Sequence, residues 1–169
     1  MYGSNNIQWT DDELRLATLQ ILLDQRKLQG EDAGASEKMI AYILEIERCP
    51  RFKLNMEYLL QNGFIEKGNR VLKITPAGYD FLLERLGGLK PERSSIPILA
   101  VILTKNDGMT KEELEAALPN KTATELEFSL WYLSEKKYIE ERDEKFRATM
   151  AGFTLAKRFA TTFGDNENG

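Results

Sequence analysis

Basic side chains gather between residues 48 and 73, where the chain is best suited to neutralise phosphate charge. The basic and amide members of this cluster are Arg48, Arg51, Lys53, Asn55, Lys67, Arg70 and Lys73. Two acids, Glu57 and Glu66, oppose them within the same range. Clustered lysine and arginine displace counterions from a polyphosphate backbone, and arginine or asparagine can also contact base edges. The alternative is a solvated helix surface of mixed charge, and the sequence leaves both interpretations open.

Side chains for catalysis are few. The sequence contains no histidine and a single cysteine, Cys49, which removes the commonest general base, a disulfide framework and a cysteine-based zinc site. Neither a glycine-rich phosphate loop nor a nucleophile-elbow motif is present. Cys49 precedes Pro50 at a predicted helix start, where a thiol can become a redox switch, although a partly buried inert thiol is commoner. We therefore expect a non-enzymatic protein without a metal or cofactor.

Length and composition are those of a soluble globular protein. The 169 residues are 42% hydrophobic and 30% charged, with a net charge of -4. This balance gives the chain no overall attraction to nucleic acid or to an anionic membrane. The sequence also lacks a long uncharged apolar run and a signal-peptide pattern. We therefore expect a cytoplasmic protein with no membrane partner.

An internal repeat places the basic cluster inside a larger unit. Residues 58–82 align without a gap on residues 132–156 after a shift of 74 positions. The identical pairs are Tyr58/Tyr132, Leu59/Leu133, Ile65/Ile139, Glu66/Glu140, Thr75/Thr149, Ala77/Ala151 and Gly78/Gly152. Because one structure must explain both copies, the repeat predicts two similar domains. The predicted domains are residues 10–88 and 95–163, with a linker at 89–94 and flexible ends at 1–9 and 164–169.

Each copy is predicted to contain three helices, a two-stranded hairpin and a last helix. In the first copy, Thr10 and Ser36 suit helix caps, Pro50 suits a helix start, and Gly68-Asn69 suits a tight hairpin turn. The predicted second helix carries the apolar residues Met39, Ile40, Ile43, Leu44 and Ile46. In the second copy, the predicted capping residues are Thr110, Thr122 and Thr149, and the last helix reaches about Phe163. The fold class is therefore mainly α with small β-hairpins, an α+β chain.

This order of elements resembles the winged helix-turn-helix superfamily. The specific features are the run Tyr58-Leu-Leu-(x3)-Phe64-Ile65 and, after the hairpin, Ile74-Thr75-Pro76-Ala77-Gly78, which is similar to MarR-like and PadR-like regulators. The resemblance implies two tandem winged-helix domains. In DNA-binding members the third helix enters the major groove and the wing contacts phosphate. Other members of this scaffold assemble proteins, so the resemblance indicates the fold more strongly than the function.

The second copy differs from the first at these same two elements. Its third helix carries Glu125 and Glu127, and its wing contains Glu140-Glu-Arg-Asp-Glu144, so it would repel phosphate. Its aromatic side chains instead indicate either the edge of its own core or an interface with a protein. The candidate interface residues are Trp131, Phe153, Phe159 and Phe163. We expect a homodimer or a protein partner through this second domain.

Two functions fit these patterns. The first is a DNA-binding transcriptional regulator or DNA-associated factor, whose first domain contacts double-stranded DNA while the second mediates assembly. The alternative is a protein-interaction adaptor that uses winged helices as docking surfaces without binding DNA. The charge contrast between the copies favours DNA binding, whereas the acidic total favours the adaptor.

Overall fold

The computed structural model describes residues 9–47, 49–88 and 91–168. The chain divides into two compact units, Met1–Gly88 (unit 1) and Leu89–Gly169 (unit 2). The described residues form eight helices and two small antiparallel sheets, and 60% of the chain is helical. The chain is thus α+β with a helical majority. None of the helices in the described ranges is long and apolar enough to cross a membrane.

Unit 1 contains three helices, a hairpin and a fourth helix. Its elements are α1 (Asp11–Gln29), α2 (Glu37–Ile43), α3 (Pro50–Gln61), β1 (Ile65–Lys67), β2 (Leu72–Ile74) and α4 (Pro76–Arg85). As predicted, Thr10 caps α1 in a capping box with Glu13, and Ser36 caps α2. Pro50 begins α3, because its fixed φ suits a first helical residue.

The core of unit 1 lies between its helices and one face of the hairpin. Its largest fully buried side chains are Leu14, Leu19, Leu22, Ile40, Met56, Leu59, Ile65 and Leu82. β1 pairs antiparallel with β2, and Ala35 extends this sheet through one bridge to Leu72. Burial of these apolar side chains is the main force that stabilises the unit.

The hairpin turn of unit 1 differs from the prediction by one residue. The backbone N–H of Gly68 donates to the carbonyl of Val71 at 2.7 Å, so the turn is centred on Asn69 and Arg70 rather than on Gly68-Asn69. Arg70 adopts the left-handed conformation, with a φ of 62°. The pairing register is set by the buried strand side chains, since a slip of one residue would turn them toward solvent.

Helix α2 is shorter than its apolar pattern predicted. It ends at Ile43, and Glu45 follows in the left-handed conformation with a φ of 57°. Ile40 and Ile46 are buried, but Met39 and Ile43 are exposed. Two helical turns can bury only the side chains on the inward stripe, so the remaining apolar residues of α2 face solvent.

Unit 2 follows the same plan with a longer hairpin. Its elements are α5 (Pro91–Ile102), β3 (Met109–Thr110), α6 (Lys111–Ala117), α7 (Ala123–Glu135), β4 (Ile139–Arg142), β5 (Lys145–Ala148) and α8 (Met150–Asn168). β5 lies between β3 and β4, and both neighbours are antiparallel to it. Asp143 and Glu144 form a two-residue turn, with φ values of 56° and 63°. Positive φ at both turn residues matches the twist of the strands.

Two boundaries in unit 2 differ from those predicted. α5 begins at Pro91, within the predicted linker 89–94, and it contains Pro97. α8 runs to Asn168, so the predicted flexible end at 164–169 is helical up to that residue. The capping threonines are confirmed at 110 and 122. At α7, Glu125 accepts from the hydroxyl of Thr122 and not from its backbone N–H, so Thr122 and Glu125 do not form a full capping box.

The threonines shared by the repeat occupy equivalent positions in the two units. Thr75 caps α4 and donates its hydroxyl hydrogen to the carbonyl oxygen of Gly63 at 2.5 Å. Thr149 donates in the same way to Lys137 at 2.6 Å. Gly63 and Lys137 both adopt the left-handed conformation, with φ values of 71° and 66°. Each threonine therefore fastens the start of the last helix to the residue two positions after the third helix.

The shared glycines allow the last helix to touch the hairpin backbone. A Cβ atom on Gly78 would lie 2.1 Å from the carbonyl oxygen of Phe64, and one on Gly152 would lie 2.0 Å from that of Tyr138. No side chain fits at such distances. Close packing, rather than a ligand, explains both glycines.

Candidate functional site

The side of α3 that faces solvent is not basic. Its buried side chains are Phe52, Asn55, Met56 and Leu59. The opposite side of the helix presents Leu54, Glu57 and Gln61, all of them exposed. Arg51 and Lys53 are two residues apart and are therefore separated by about 200° around the helix axis. The two cations consequently lie on opposite flanks of α3.

Arg51 is directed toward the start of α1. Its Nη1 donates to the carbonyl oxygen of Trp9 at 2.9 Å, and its Nε lies 3.6 Å from Oδ1 of Asp11. Both charged side chains are more than half exposed, so the ion pair itself adds little stability. The two contacts direct the Arg51 side chain toward α1, on the flank of α3 opposite Lys53.

Asn55 lies inside unit 1, and the prediction that it contacts DNA is corrected. Its side chain is 2% exposed. Its Nδ2 donates to Asp11 at 3.0 Å and to the carbonyl of Arg51 at 2.9 Å, while its Oδ1 accepts from Nε of Arg15 at 2.7 Å. These bonds use the amide within the protein and tie α3 to α1, so the amide is not presented to a base edge.

The remaining predicted contacts are spread over several elements. Lys53, Lys67 and Arg70 are exposed, the last two beside the turn of the hairpin. Lys73 is half-buried, and its Nζ donates to the carbonyl oxygen of Glu31 at 3.1 Å. Arg48 lies outside the described residues. Lys67 and Arg70 therefore belong to the hairpin of unit 1, whereas Arg51 and Asn55 are directed toward the start of α1.

An apolar surface lies where the basic one was expected. A cavity of about 640 Å³ opens between α2 and α3, and its lining residues are Glu37, Lys38, Ala41, Glu47, Cys49, Pro50, Phe52 and Lys53. The helices that form it expose Met39, Tyr42 and Ile43 from α2 and Leu54 from α3. Tyr42 is 71% exposed and Leu54 65%. We call this cavity with these four side chains the α2–α3 surface.

The sequence contained a signal for this surface. Helix periodicity places Leu54 on the same stripe as Glu57 and Gln61, three and seven residues later, opposite the buried stripe of α3. A leucine among polar residues on that stripe indicates an exposed apolar position. The cysteine at the cavity, Cys49, is a half-buried free thiol. Among the described residues there is no cluster of three or more acids or cysteines that could hold a metal ion.

Unit 2 presents a different third helix and hairpin. Glu125 is exposed near the start of α7, and Glu127 is half-buried. The hairpin side chains around the turn are exposed, and they are Glu140, Glu141, Arg142, Asp143 and Glu144. Four carboxylates in this short stretch give the hairpin tip a charge that repels phosphate.

The predicted interface residues of unit 2 divide into three groups. Trp131 is half-buried, and its ring centroid lies 5.3 Å from that of Phe128 on the same helix. Phe153 is 48% exposed, and Phe159 is half-buried. The side chain of Phe163 lies outside the described residues. Among those of the four whose side chains are described, Phe153 is the exposed one.

Comparison with protein-family models, with curated proteins and with solved structures found no match to the chain.

Proposed function

We propose that each unit is a winged-helix domain and that the chain is a protein-interaction adaptor, which docks a protein partner on the α2–α3 surface. The order of elements supports the fold, because both units have three helices, a hairpin and a last helix. In both units, the segment between the first two helices also joins the hairpin sheet, through Ala35 in unit 1 and through β3 in unit 2. This is the plan that the sequence resemblance implies.

The exposure of Tyr42 and Leu54 carries the functional proposal. A helix that reads DNA needs polar or cationic side chains where α3 presents Leu54 and Glu57, since base edges offer mostly hydrogen-bonding groups. An exposed tyrosine on a helix that lines a cavity is instead a residue type favoured at protein-binding hot spots. A partner side chain that enters the cavity would bury the floor formed by Ala41 and Phe52.

Capture of partners with matched surface variants tests the proposal. The tagged chain is exposed to a lysate of its native host as wild type and as Y42A/L54A. The control is L28A/L86A, which removes two exposed leucines of unit 1 outside the α2–α3 surface. We expect the control to retain the wild-type partners and Y42A/L54A to lose them. Equal capture by all three proteins would contradict the proposal, provided that their thermal unfolding is alike.

DNA binding through unit 1 is the second candidate, and Lys67 and Arg70 favour it. They are exposed beside the hairpin turn, where a wing contacts phosphate in DNA-binding winged-helix proteins. Lys53 adds a third exposed cation on one flank of α3. These residues could supply attraction to the backbone, but they do not supply a base-reading face.

A salt titration on a mixed-sequence duplex separates the two candidates. If unit 1 binds DNA, affinity falls steeply with salt, and K67A/R70A lowers the slope of log K against log salt by about 2, or about 1 for each lost phosphate contact. E140Q/E141Q is the matched hairpin control in unit 2. The adaptor proposal expects no measurable binding by the wild type even at low salt.

A further inference from the structure

We infer that the outer side of α2 joins two copies of the chain, with the two helices antiparallel about a two-fold axis near Tyr42. This inference rests on the proposed docking role of the α2–α3 surface, to which Tyr42 belongs, and a second copy is the occupant of its α2 side. Only unit 1 of each copy takes part in the contact. Three observations support it: the exposed apolar residues of α2, their replacement in unit 2, and the charges at the two ends of the helix.

The apolar residues on the outer side of α2 do not belong to the core of unit 1. Met39 is 52% exposed, Tyr42 71% and Ile43 48%. The spacing i, i+3, i+4 places these three on one side of the helix, while Ile40 and Ala41 are buried on the other. We call Met39, Tyr42 and Ile43 the α2 strip.

Unit 2 contains the same helix without this strip. The shift of 74 residues aligns α2 with α6 without a gap, and their N-caps, Ser36 and Thr110, coincide. Buried Ile40 is matched by buried Leu114. The residues at the three positions of the strip are Glu113, Ala116 and Ala117. The helix therefore needs an apolar side chain at its inward position and none at the strip, and adjacent exposed apolar residues that a fold does not need indicate a protein interface.

The charges at the two ends of α2 fit an antiparallel copy. Lys38 lies in the first turn, about 40° around the helix axis from Tyr42, and Glu45 follows the C-terminal end. Both are exposed. A two-fold axis near Tyr42 places Lys38 of each copy opposite Glu45 of the other, and it also brings Met39 opposite Ile43. A parallel pair would instead set like charges side by side, which is unfavourable.

The other charged residues near α2 leave this pairing intact. Glu37 is about 140° around the helix axis from Tyr42, and it lines the cavity together with Glu47 and Lys53. The side chain of Arg48 lies outside the described residues. The pairing depends on the positions of one cation and one acid at opposite ends of the strip, so it does not require a net charge of either sign in this region.

The small size of the strip predicts a weak dimer. Three side chains from each copy bury far less than the about 1,200 Å² of a stable complex. We therefore expect a dissociation constant of about 0.1 mM, as for transient contacts. Apolar burial supplies most of this affinity, because exposed ion pairs add little, and the charges select the antiparallel orientation.

Charge exchange in the full chain tests the inference. Sedimentation velocity compares the wild type with K38E, with E45K and with the double exchange K38E/E45K. We expect each single variant to dimerise roughly tenfold more weakly, because both ionic contacts of the pair then join like charges. The double exchange restores the wild-type affinity, since both contacts again join opposite charges. Y42A weakens the dimer, and L28A, at an exposed leucine outside α2, leaves it unchanged.

Each other result overturns the inference. A wild type that remains monomeric up to about 1 mM excludes the dimer. An unchanged dimer in Y42A places the contact on another surface. A double exchange that dimerises as weakly as the single variants excludes the antiparallel pairing. In any of these cases, loss of native partners by Y42A/L54A would still support the docking of a different protein on the α2–α3 surface.

Discussion

In unit 1, Thr75 and Gly78 join α4 to the end of α3, and in unit 2, Thr149 and Gly152 join α8 to the end of α7 by the same contacts. At the outward positions of α3 and α7, by contrast, the two units differ in residue type and exposure. Leu54 is exposed, whereas its counterpart Phe128, 74 residues later, is half-buried against Trp131. Where backbone geometry admits one residue type, the copies are the same. At positions that face solvent, many side chains are tolerated, and the two copies differ.

Substitution of the shared glycines should cause the largest loss of stability. Gly78→Ala or Gly152→Ala forces a Cβ against a carbonyl oxygen, so we expect each to lower the free energy of unfolding of its own unit by about 3 kcal/mol. Hydrogen exchange during urea unfolding measures the two units separately. Gly88→Ala is the control, because the nearest atoms to its Cβ would lie 3.6 Å away. Tolerance of either substitution would show that the helix–hairpin contact is not as close as described.

The buried amide of Asn55 in α3 is a feature that unit 2 lacks, because the equivalent residue of α7 is Ser129. Asn55→Ala leaves hydrogen-bonding groups of Arg15 and Asp11 without their partner, so we expect unit 1 to lose about 2 kcal/mol of unfolding free energy. The equivalent change in unit 2, Ser129→Ala at a half-buried position, should cost less. Urea midpoints for the two variants make the comparison. Equal losses would indicate that Ser129 holds α7 as firmly as Asn55 holds α3.

The capping threonines test the similarity of the two units at a finer scale. Thr75→Ala and Thr149→Ala each remove a helix cap and the bond to the preceding carbonyl, and each should cost about 1 kcal/mol. Serine keeps the hydroxyl, so Thr75→Ser and Thr149→Ser should retain most of the stability. Thermal unfolding of the four variants gives the result. A loss of stability in one unit alone would show that the threonine contact does not stabilise the two units equally.

The smallest expected effect is a loss of stability of unit 2 at low pH, through Glu113 in its second helix, α6. Hydrogen bonds from Lys105 and from the backbone of Thr110 lower the pKa of Glu113 from 4.5 to about 2. Because the folded pKa is depressed, this contribution to stability is present above pH 4.5 and is lost as the pH falls toward 2. In unit 1, α2 has Met39 at the equivalent capping position.

Urea midpoints of unit 2 from pH 5 to pH 2 check this dependence. Glu113→Gln should remove part of it and leave unit 1 unchanged. Parallel pH profiles for the variant and the wild type would mean that the carboxylate has no preferential role in the folded state.

Several elements could be predicted because their signals are local. The caps at Thr10, Ser36 and Thr110 and the start of α3 at Pro50 depend on residues within one turn. The hairpin turn at Asn69-Arg70 was misplaced, since strand register depends on which side chains the helices bury. The candidate site was predicted least well. Arg51 and Asn55 were placed on a reading face from their residue types, but their orientation depends on contacts with α1.

The sequence alone determined the duplication, the order of helices and hairpins, and the joint made by threonine and glycine in each copy. Those features follow from residue identity at fixed spacing, because a cap or a close backbone contact admits few side chains. Only the tertiary structure decided that the amide of Asn55 lies inside unit 1. Asp11 and Arg15 are 44 and 40 residues from Asn55 in the chain, and their hydrogen bonds hold the amide inside the unit. Long-range contacts of this kind leave no periodic pattern in the sequence.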